Sequence, residues 1–505
     1  MLAKMSDTNS AAIPMLAPEP LARKTWSTRV FSLPVALGLL LVYLMLFVSA
    51  GGRVVRSLVD PDVWWHLRNA SELVRTGHFM RADSYTFTVA GKPWINFEWL
   101  GELPYYFAYR WLGDGGLYLM LFLVAAAILV GIYCLGRLRS GSWTAAFFAT
   151  AIGLLLTTVS LLPRPLLFGW LFLVIEVGVL WSFQKGRDFS IALPLLFLLW
   201  INVHGSWFIG FVLMALFVAC GFVEGSWGNL DAVRWTPAQR RKLLVVAAAS
   251  FAALFVNPYG WRLVVYPLDV AFRQKLTVEH VAEWGSLDFH SPRGKIVVMV
   301  LVLLAVLQLV RRRRWMLQDA AFAAVAVYGA VTYVRFLFLM AILVMPLLAM
   351  DFRNEKPKEA RDYRFICGLV IVALLGMIAR AYPRETQLQA GLAEYFPEKA
   401  VAWVRSAAGR GNLFSNFNWN GYLEWQAPEV KELIDSRVDI FVHAGVMDDY
   451  LRATKVDGTF GVLDKYGIRY VLLPREYPMA YVLGHSTEWK QTYEDGQAVG
   501  FERVR

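Results

Sequence analysis

Charge is scarce in this sequence: Asp, Glu, Lys and Arg make up 18% of 505 residues, against 57% hydrophobic and 15% aromatic residues. A soluble domain of this length needs more charge to cover its surface, so a wholly soluble fold is excluded. Cysteine is scarcer still, with only Cys134, Cys220 and Cys367. Each falls inside an apolar run rather than a water-exposed loop, which excludes a disulfide framework. No Cys/His spacing of the zinc-binding kind occurs, and no glycine-rich loop suited to a nucleotide sugar. Internal repeats and low-complexity tracts are absent as well.

What the sequence has instead is a series of apolar runs and a positive mean hydropathy of +0.45. Runs of roughly 17 to 25 apolar residues are what a bilayer demands of spanning helices, because backbone amides in hydrocarbon must pair within their own segment. Eleven spans are expected, at 30–50, 115–136, 143–161, 165–183, 189–203, 206–223, 242–256, 295–310, 316–334, 335–350 and 364–382. The first lacks a small-residue cleavage site and reads as a retained helix.

Alternate connections carry the positive charge. Arg23, Lys24 and Arg29 precede the first span, followed in turn by RLR (137–139), QKGR (184–187), QRRK (239–242), Arg311–Arg314 and the charged segment 351–364. All share one side under an eleven-span count, and the positive-inside rule makes that side cytoplasmic. The net charge of +11 therefore serves orientation, not nucleic-acid binding.

The expected fold is an all-α polytopic membrane domain (30–382) after a cytoplasmic tail (1–29), followed by a small extracytoplasmic α/β domain (383–505). The localisation expected is the inner (plasma) membrane. Two long outer loops, 51–114 and 257–294, complete the plan, the first with amphipathic juxtamembrane helices. In the terminal domain, RYVLLP (469–474) and AVGFERV (498–504) read as strands and 394–407 as helical.

Polar chemistry gathers at the outer face. Asp60-Pro61 is a helix start, with an acidic cap and proline at the first helical position. Asp62, His66 and Asn69 follow at i, i+4 and i+7 on one face, while Trp64 and Trp65 suit the membrane interface. Asp83 and Glu98 recur among aromatics later in the loop. Arg164 opens the fourth span, where it can meet a lipid phosphate or snorkel to headgroups. His204, in NVHG, closes the fifth span, with Gly205 reading as its cap. Asn257 begins an NPYG turn, Glu283 lies in the second long loop, and Arg335 opens the tenth span. Each has a plain structural reading. Their shared leaflet, under a topology derived without them, points to a site.

The motifs D-x-D-x-W-W-H-L, E-W-L, R-P, N-x-H-G and N-P-x-G, spread over nearly the whole chain, resemble a bacterial branch of the GT-C superfamily. These membrane glycosyltransferases use polyprenyl-phosphate-linked sugars on the outer face. The group nearest contains the aminoarabinose transferase of lipid A and the protein mannosyltransferases. In that group a catalytic Asp opens a juxtamembrane helix, which runs to a Gly before a Lys-Pro or Glu-containing segment. Asp62, Gly77 and GKPWINFEWL fit the pattern; Val63 departs from it, where the family often has a second acid, and Asp60 is the substitute on offer.

The resemblance implies transfer of a sugar from a polyprenyl-phosphate donor to a glycan, lipid or protein acceptor, with inversion at the anomeric carbon. Asp62, with Asp60 beside it, is then the catalytic pair, acting as base or acceptor-orienting group. Arg164 and Arg335 are phosphate ligands, His204 and His66 are partners in substrate binding, and Asp83 and Glu98 bind sugar hydroxyls or shape the loop. Asn257 and Glu283 complete the substrate-binding set. No cofactor is assigned. A divalent cation, Mg²⁺ or Mn²⁺, stays open, since Asp60 and Asp62 offer hard oxygens, yet a lipid monophosphate beside arginines does not need one. A flippase or transporter of lipid-linked glycans is the rival reading, as is a non-catalytic lipid-binding relative. Transporters tend to show repeated halves and ionisable groups at mid-membrane, whereas polar residues here collect at span ends.

Overall fold

A computed structural model describes residues 26–50, 58–158, 160–273, 282–352, 363–407 and 409–504. The expected tail charges Arg23 and Lys24, and most of the charged segment 351–364, lie outside the described residues. Helices stand at every expected span: α1 (Leu33–Ala50), α3 (Trp99–Ser140), α4 (Trp143–Thr157), α5 (Leu166–Gln184), α6 (Leu193–Val203), α7 (Trp207–Cys220) and α8 (Pro237–Ala253). Between the first two lies the helix α2 (Asp62–Thr76). After α9 (Trp261–Arg273) come α10 (Pro292–Arg311), α11 (Leu317–Thr332), the helical stretch α12 (Val334–Phe352) and α13 (Arg364–Ala381). Among the described residues, α3, α5, α10, α12 and α13 are long and apolar enough to cross a membrane; α1, α4, α6, α7 and α11 are shorter apolar helices.

Local chemistry sets several ends. Ser142 accepts from the Ala145 amide to start α4, Thr236 forms a capping box with Gln239 before α8, and Ser291 caps α10. The expected span 115–136 is part of a longer element, since α3 runs from Trp99 to Ser140 and carries the RLR cluster as its last turn. It is two helices joined at Gly113, whose φ of 61° and ψ of −146° suit only a residue without a side chain. The break exposes fresh amides, and the Glu385 carboxylate accepts them from Asp114 (3.2 Å) and Gly115 (2.7 Å).

α12 is the axis of the bundle. It includes a π-helical turn at Met340–Val344, and 78% of its apolar window is buried, against 17% for α10 and for α13 at the periphery. Trp170 stacks on Phe338 at 5.1 Å, and Gly153 brings α4 close enough that a Cβ there would lie 3.1 Å from Met345. Small residues at such crossings let helix backbones approach where lipid gives no hydrophobic drive.

One end of the bundle gathers the basic clusters. Arg139 meets Asp319 and Gln184 (2.7 Å), Lys185 reaches the Leu138 carbonyl, and Lys242 pairs with Asp188 at 2.5 Å. Arg313 pairs with Asp351 at 3.7 Å and Arg314 with Asp231 at 2.9 Å. The same end holds a small sheet of β1 (Gly225–Trp227), β2 (Leu230–Ala232) and β3 (Trp315–Met316).

At the opposite end, α14 (Glu385–Tyr395) leads to a four-stranded sheet of β4 (Asn412–Ser415), β5 (Ile468–Pro474), β6 (Trp489–Glu494) and β7 (Ala498–Arg503), in the order β4-β5-β7-β6. β4 and β5 are parallel; the other pairings are antiparallel. The segment is stitched to the first long loop: the Phe87 amide donates to the Glu432 carbonyl at 3.1 Å, and Arg437 pairs with both Asp83 and Asp435. One apolar core joins Val63 and Trp64 of α2 to Leu413, Trp419 and Tyr470. The sheet and α2 therefore pack as one body.

Candidate active site at one end of the bundle

Asp60 Oδ1 accepts the Asp62 backbone N–H at 3.0 Å, which starts α2 as a capping acid does. The helix closes at Gly77, whose φ is 70°. Asp60 also grips Arg164, through Nη2 to Oδ1 at 2.7 Å and through Nε to Oδ2. The Arg164 Nη1 faces Asp62 Oδ2 at 3.0 Å and Glu283 Oε1 at 3.6 Å. One guanidinium thus collects three carboxylates from two segments of chain.

Exposure separates their roles. The Asp60 side chain is fully buried, whereas Asp62 is 20% exposed and Arg164 and Glu283 are each 22% exposed. The open edge of the cluster is therefore Asp62 and Glu283. Trp65 Nε1 lies 3.3 Å from Asp62 Oδ1 and 3.0 Å from Ser436 Oγ, so the sheet-bearing segment reaches the same carboxylate. Burial pushes the Asp62 carboxyl up, but Arg164 opposes it, and hydrogen bonds from Ser436 and Trp65 with the His66 charge bring the net shift below the usual value.

Arg335 stands next to this cluster. Its guanidinium lies 4.4 Å over the Trp284 ring, and the Val334 amide donates to the Gly285 carbonyl at 3.0 Å, tying the two segments together. Among the described residues no carboxylate lies within ion-pair distance of Arg335. Of the two arginines described at this cluster, it is the one without a carboxylate partner.

A second network lies behind the first. His66 Nδ1 is 2.9 Å from Glu102 and its Nε2 is 3.4 Å from Glu98. Glu98 also faces His204 Nε2 at 3.1 Å. The Ser206 amide donates to His204 Nδ1 at 2.9 Å, so the His204 proton sits on Nε2 and is given to Glu98. Burial lowers His204 well below the usual histidine value, with the Arg335, His66 and Arg164 charges adding to it. For His66, burial is overcome by the Glu102 hydrogen bond and the charges of Glu98, Glu102 and Asp62, so its pKa rises. Burial pushes Glu98 up to about 7. Glu102 is further held by Asn69 (3.0 Å) and Asn96 (2.8 Å).

The structure brings Asp60, Asp62, Arg164 and Glu283 together, with Arg335 beside them and His66, Glu98 and His204 behind. Two expected residues are elsewhere. Asp83 is sealed at 0% exposure against Arg437, with Thr86 donating to it, so it shapes the loop and presents nothing to a sugar. Asn257 is fully used inside its turn, donating to the Leu254 and Gly260 carbonyls and accepting from the Tyr259 amide. Gly205 is not the cap of α6: His204 leaves the helix in extended conformation, drawn by its bond with Ser206. Arg164 was expected to face a phosphate and is instead turned toward Asp60, because a buried carboxylate needs the nearer cation.

Ser436 carries no signal in the sequence, and Glu102, an acid of the same loop as Glu98, stands there without an assigned role. Glu102 sits in the EWLGE segment whose Glu98 was chosen, and its asparagine partners give no local pattern. Ser436 lies 371 positions from Trp65, beyond any periodicity.

Among the described residues, no group of three or more His, Cys, Asp or Glu is arranged to hold a metal ion. Asp60 gives both oxygens to Arg164 and the Asp62 amide, and Asp62 turns Oδ2 to the same guanidinium. As arranged, this donor set does not fit a divalent cation beside the arginine.

Among the described residues, helices long and apolar enough to cross a membrane carry a short helix opened by an acid, with a carboxylate–guanidinium cluster at its start. Several solved structures share this fold. The oligosaccharyltransferase of Archaeoglobus fulgidus tethered with an acceptor peptide aligns with a TM-score of 0.54 at 12% identity, over 94% of this chain and 75% of that one. AglB from the same organism, in complex with an inhibitory peptide and a dolichol-phosphate, gives 0.54 at 12% over 90% and 70%. ArnT from Cupriavidus metallidurans in the apo state gives 0.50 at 13% over 93% and 97%. At such identity the likeness is one of fold. No protein-family model matches the sequence, and no curated protein matches it by sequence.

Proposed function

We propose that the chain is a polytopic membrane glycosyltransferase that moves a sugar from a polyprenyl-phosphate donor to an envelope glycan, lipid or protein acceptor on the outer face. The single observation that carries this reading is the partly exposed Asp62 carboxylate, held ionised by Arg164 at 3.0 Å, with the Arg335 guanidinium nearby. The dolichol-phosphate in the AglB structure supports a lipid phosphate as the ligand of a site in this fold. The eleven-span topology belongs to this reading: tail 1–29 inside, membrane domain 30–382, and 383–505 outside in the plasma (inner) membrane. The gathering of basic clusters at one end and of the acid cluster at the other supports it.

In this mechanism the acceptor hydroxyl is placed against Asp62. Its oxygen attacks the anomeric carbon from the face opposite the phosphate, and its proton passes to the Asp62 carboxylate. The C1–O bond to phosphate breaks with its electron pair on the leaving oxygen, and polyprenyl phosphate departs toward Arg335. Single displacement inverts the anomeric centre. Asp60 holds Arg164, and Glu98 with His66 and His204 holds the wall behind.

The test is envelope glycolipid and glycoprotein mass analysis in a deletion strain, followed by assay of purified protein with polyprenyl-phosphate sugars. Lipid-linked sugar accumulating on the outer leaflet supports transfer. Accumulation on the inner leaflet would replace it with a flippase, and labelling that puts position 62 in the cytosol would end the proposal.

A further inference from the structure

A carboxylate cluster at a polyprenyl-phosphate site invites a divalent cation. Here the space such an ion would need is filled. Arg164 lies in contact with Asp60 through two nitrogens, with Asp62 at 3.0 Å and with Glu283 at 3.6 Å. These three carboxylates come from the start of α2 and from the second long loop, and they have the guanidinium in common. A divalent ion on the same oxygens would have to sit where the Arg164 guanidinium sits. Ligand distances of about 2.1 Å for Mg²⁺ leave no room for both. The arginine cannot surrender its charge to make way, because a guanidinium stays protonated in proteins.

We infer that Arg164 is a built-in cation standing in the place of a divalent metal, so that this site works without one and becomes a metal site only when the arginine is removed. This rests on the transferase reading for its chemistry but not for its test. A monovalent, planar cation does part of a metal's work. It neutralises Asp60 and orients Asp62, and through Nη1 it presents positive charge at the open edge of the cluster. It supplies no exchangeable coordination position, so the departing phosphate must be met by hydrogen bonds and by Arg335 rather than by a metal–oxygen bond. Removing Arg164 leaves Asp60, Asp62 and Glu283 converging on a cavity about the size of a guanidinium. Three hard oxygen donors completed by waters are what Mg²⁺, Mn²⁺ or a lanthanide accepts.

Terbium luminescence on the full chain in lipid nanodiscs tests this, with Trp65 as the natural sensitiser because its indole lies 3.3 Å from Asp62. The expected result has three parts. Wild type shows no saturable terbium signal and, where turnover is measured, keeps it within about twofold in EDTA. Arg164→Ala gains one saturable equivalent that excess Mg²⁺ displaces. Arg164→Ala with Glu283→Gln loses that site again. A saturable, Mg²⁺-displaceable equivalent in wild type that Glu283→Gln abolishes would overturn the inference. So would a folded Arg164→Ala protein that binds no terbium. If Arg164→Ala does not fold, Arg164→Met takes its place, and the wild-type titration decides on its own. Absence of any sugar transfer would count against the transferase reading while leaving the terbium result to stand or fall separately.

Discussion

Gly421 lies against the carbonyl of Pro61, so close that a Cβ at position 421 would come within 2.4 Å of that oxygen. The contact joins the helix Phe417–Gln426 to the residue that precedes Asp62. A methyl group there must push the start of α2 away, and backbone cannot yield as a side chain can. Gly421→Ala is expected to cost about 1–3 kcal/mol of stability and to displace Asp62 from Arg164. Thermal denaturation in detergent, read beside turnover, checks it: activity should fall further than the loss of folded protein accounts for. Unchanged turnover would show that the helix start tolerates displacement.

Asp62→Asn keeps the shape of the side chain and removes its charge. The amide can still meet Trp65 or Arg164, but it cannot take a proton from an acceptor hydroxyl. Transfer is expected to fall by about 10²–10⁴-fold, the range removed with a general base, while insertion and abundance stay near wild type. Full turnover would move the base elsewhere, and Glu283, at the same open edge, would be the next carboxylate to change.

Much of this architecture is legible in the sequence because the bilayer makes it so. Each expected span meets a helix, since an apolar run near 20 residues in lipid has few alternatives. Asp62 and Gly77 are readable as the two ends of α2 because an acid with proline starts a helix and glycine stops one. What stays hidden depends on contacts across the chain. Arg164 looks like a phosphate ligand until Asp60 is seen beside it, and Asp83 looks like a sugar ligand until Arg437 closes over it. Charge pairing over hundreds of residues has no local periodicity, so the charged residues are legible and their pairings are not.

The Asp83–Arg437 pair gives a prediction of the opposite kind from Asp62. Both side chains are wholly buried, and Asp435 shares the guanidinium. Removing Asp83 takes one of two carboxylates from a guanidinium in a dry interior, at a cost of up to about 3–5 kcal/mol, the loss on breaking a buried pair. Asp83→Ala is therefore expected to lower the melting temperature sharply while the surviving folded protein keeps its KM for donor. A raised KM with unchanged stability would return Asp83 to the substrate-binding set.

Arg335 is expected to set donor affinity. It lies over Trp284 without a carboxylate partner among the described residues, so Arg335→Ala removes a cation without stranding an acid. A hydrogen bond to a charged group is worth about 1.5–3 kcal/mol, and donor KM should rise by about 10- to 100-fold. Arg335→Lys should recover part of it, because a lysine restores the charge but not the planar fork. Equal KM values for Ala, Lys and wild type would take Arg335 out of phosphate binding.

Glu98 makes the site sensitive to pH near neutrality. Burial pushes its carboxyl up to about 7, with His66 and His204 on either side. Because the folded-state value lies above the ordinary value of 4.5, the native chain holds a proton that the unfolded chain has released between these two values. By linkage, stability from this group is full at low pH and is lost as pH rises from about 4.5 through about 7. His66, also raised, works in the same direction: its contribution is full below the ordinary histidine value and is lost as pH rises through the folded one. Asp62 works in the opposite direction, since its lowered carboxyl loses stability only as pH falls through its folded value. Glu98→Gln should therefore flatten the fall in melting temperature across pH 5 to about 8 and remove an inflection near 7 from the pH–rate profile. Infrared titration of the carboxyl band supplies the direct reading: a wild-type band that changes near pH 7 and is missing from Glu98→Gln assigns the proton to this side chain. A carboxyl already ionised at pH 5 would mean that the two imidazoles compensate its burial, and the inflection would then have to come from His66.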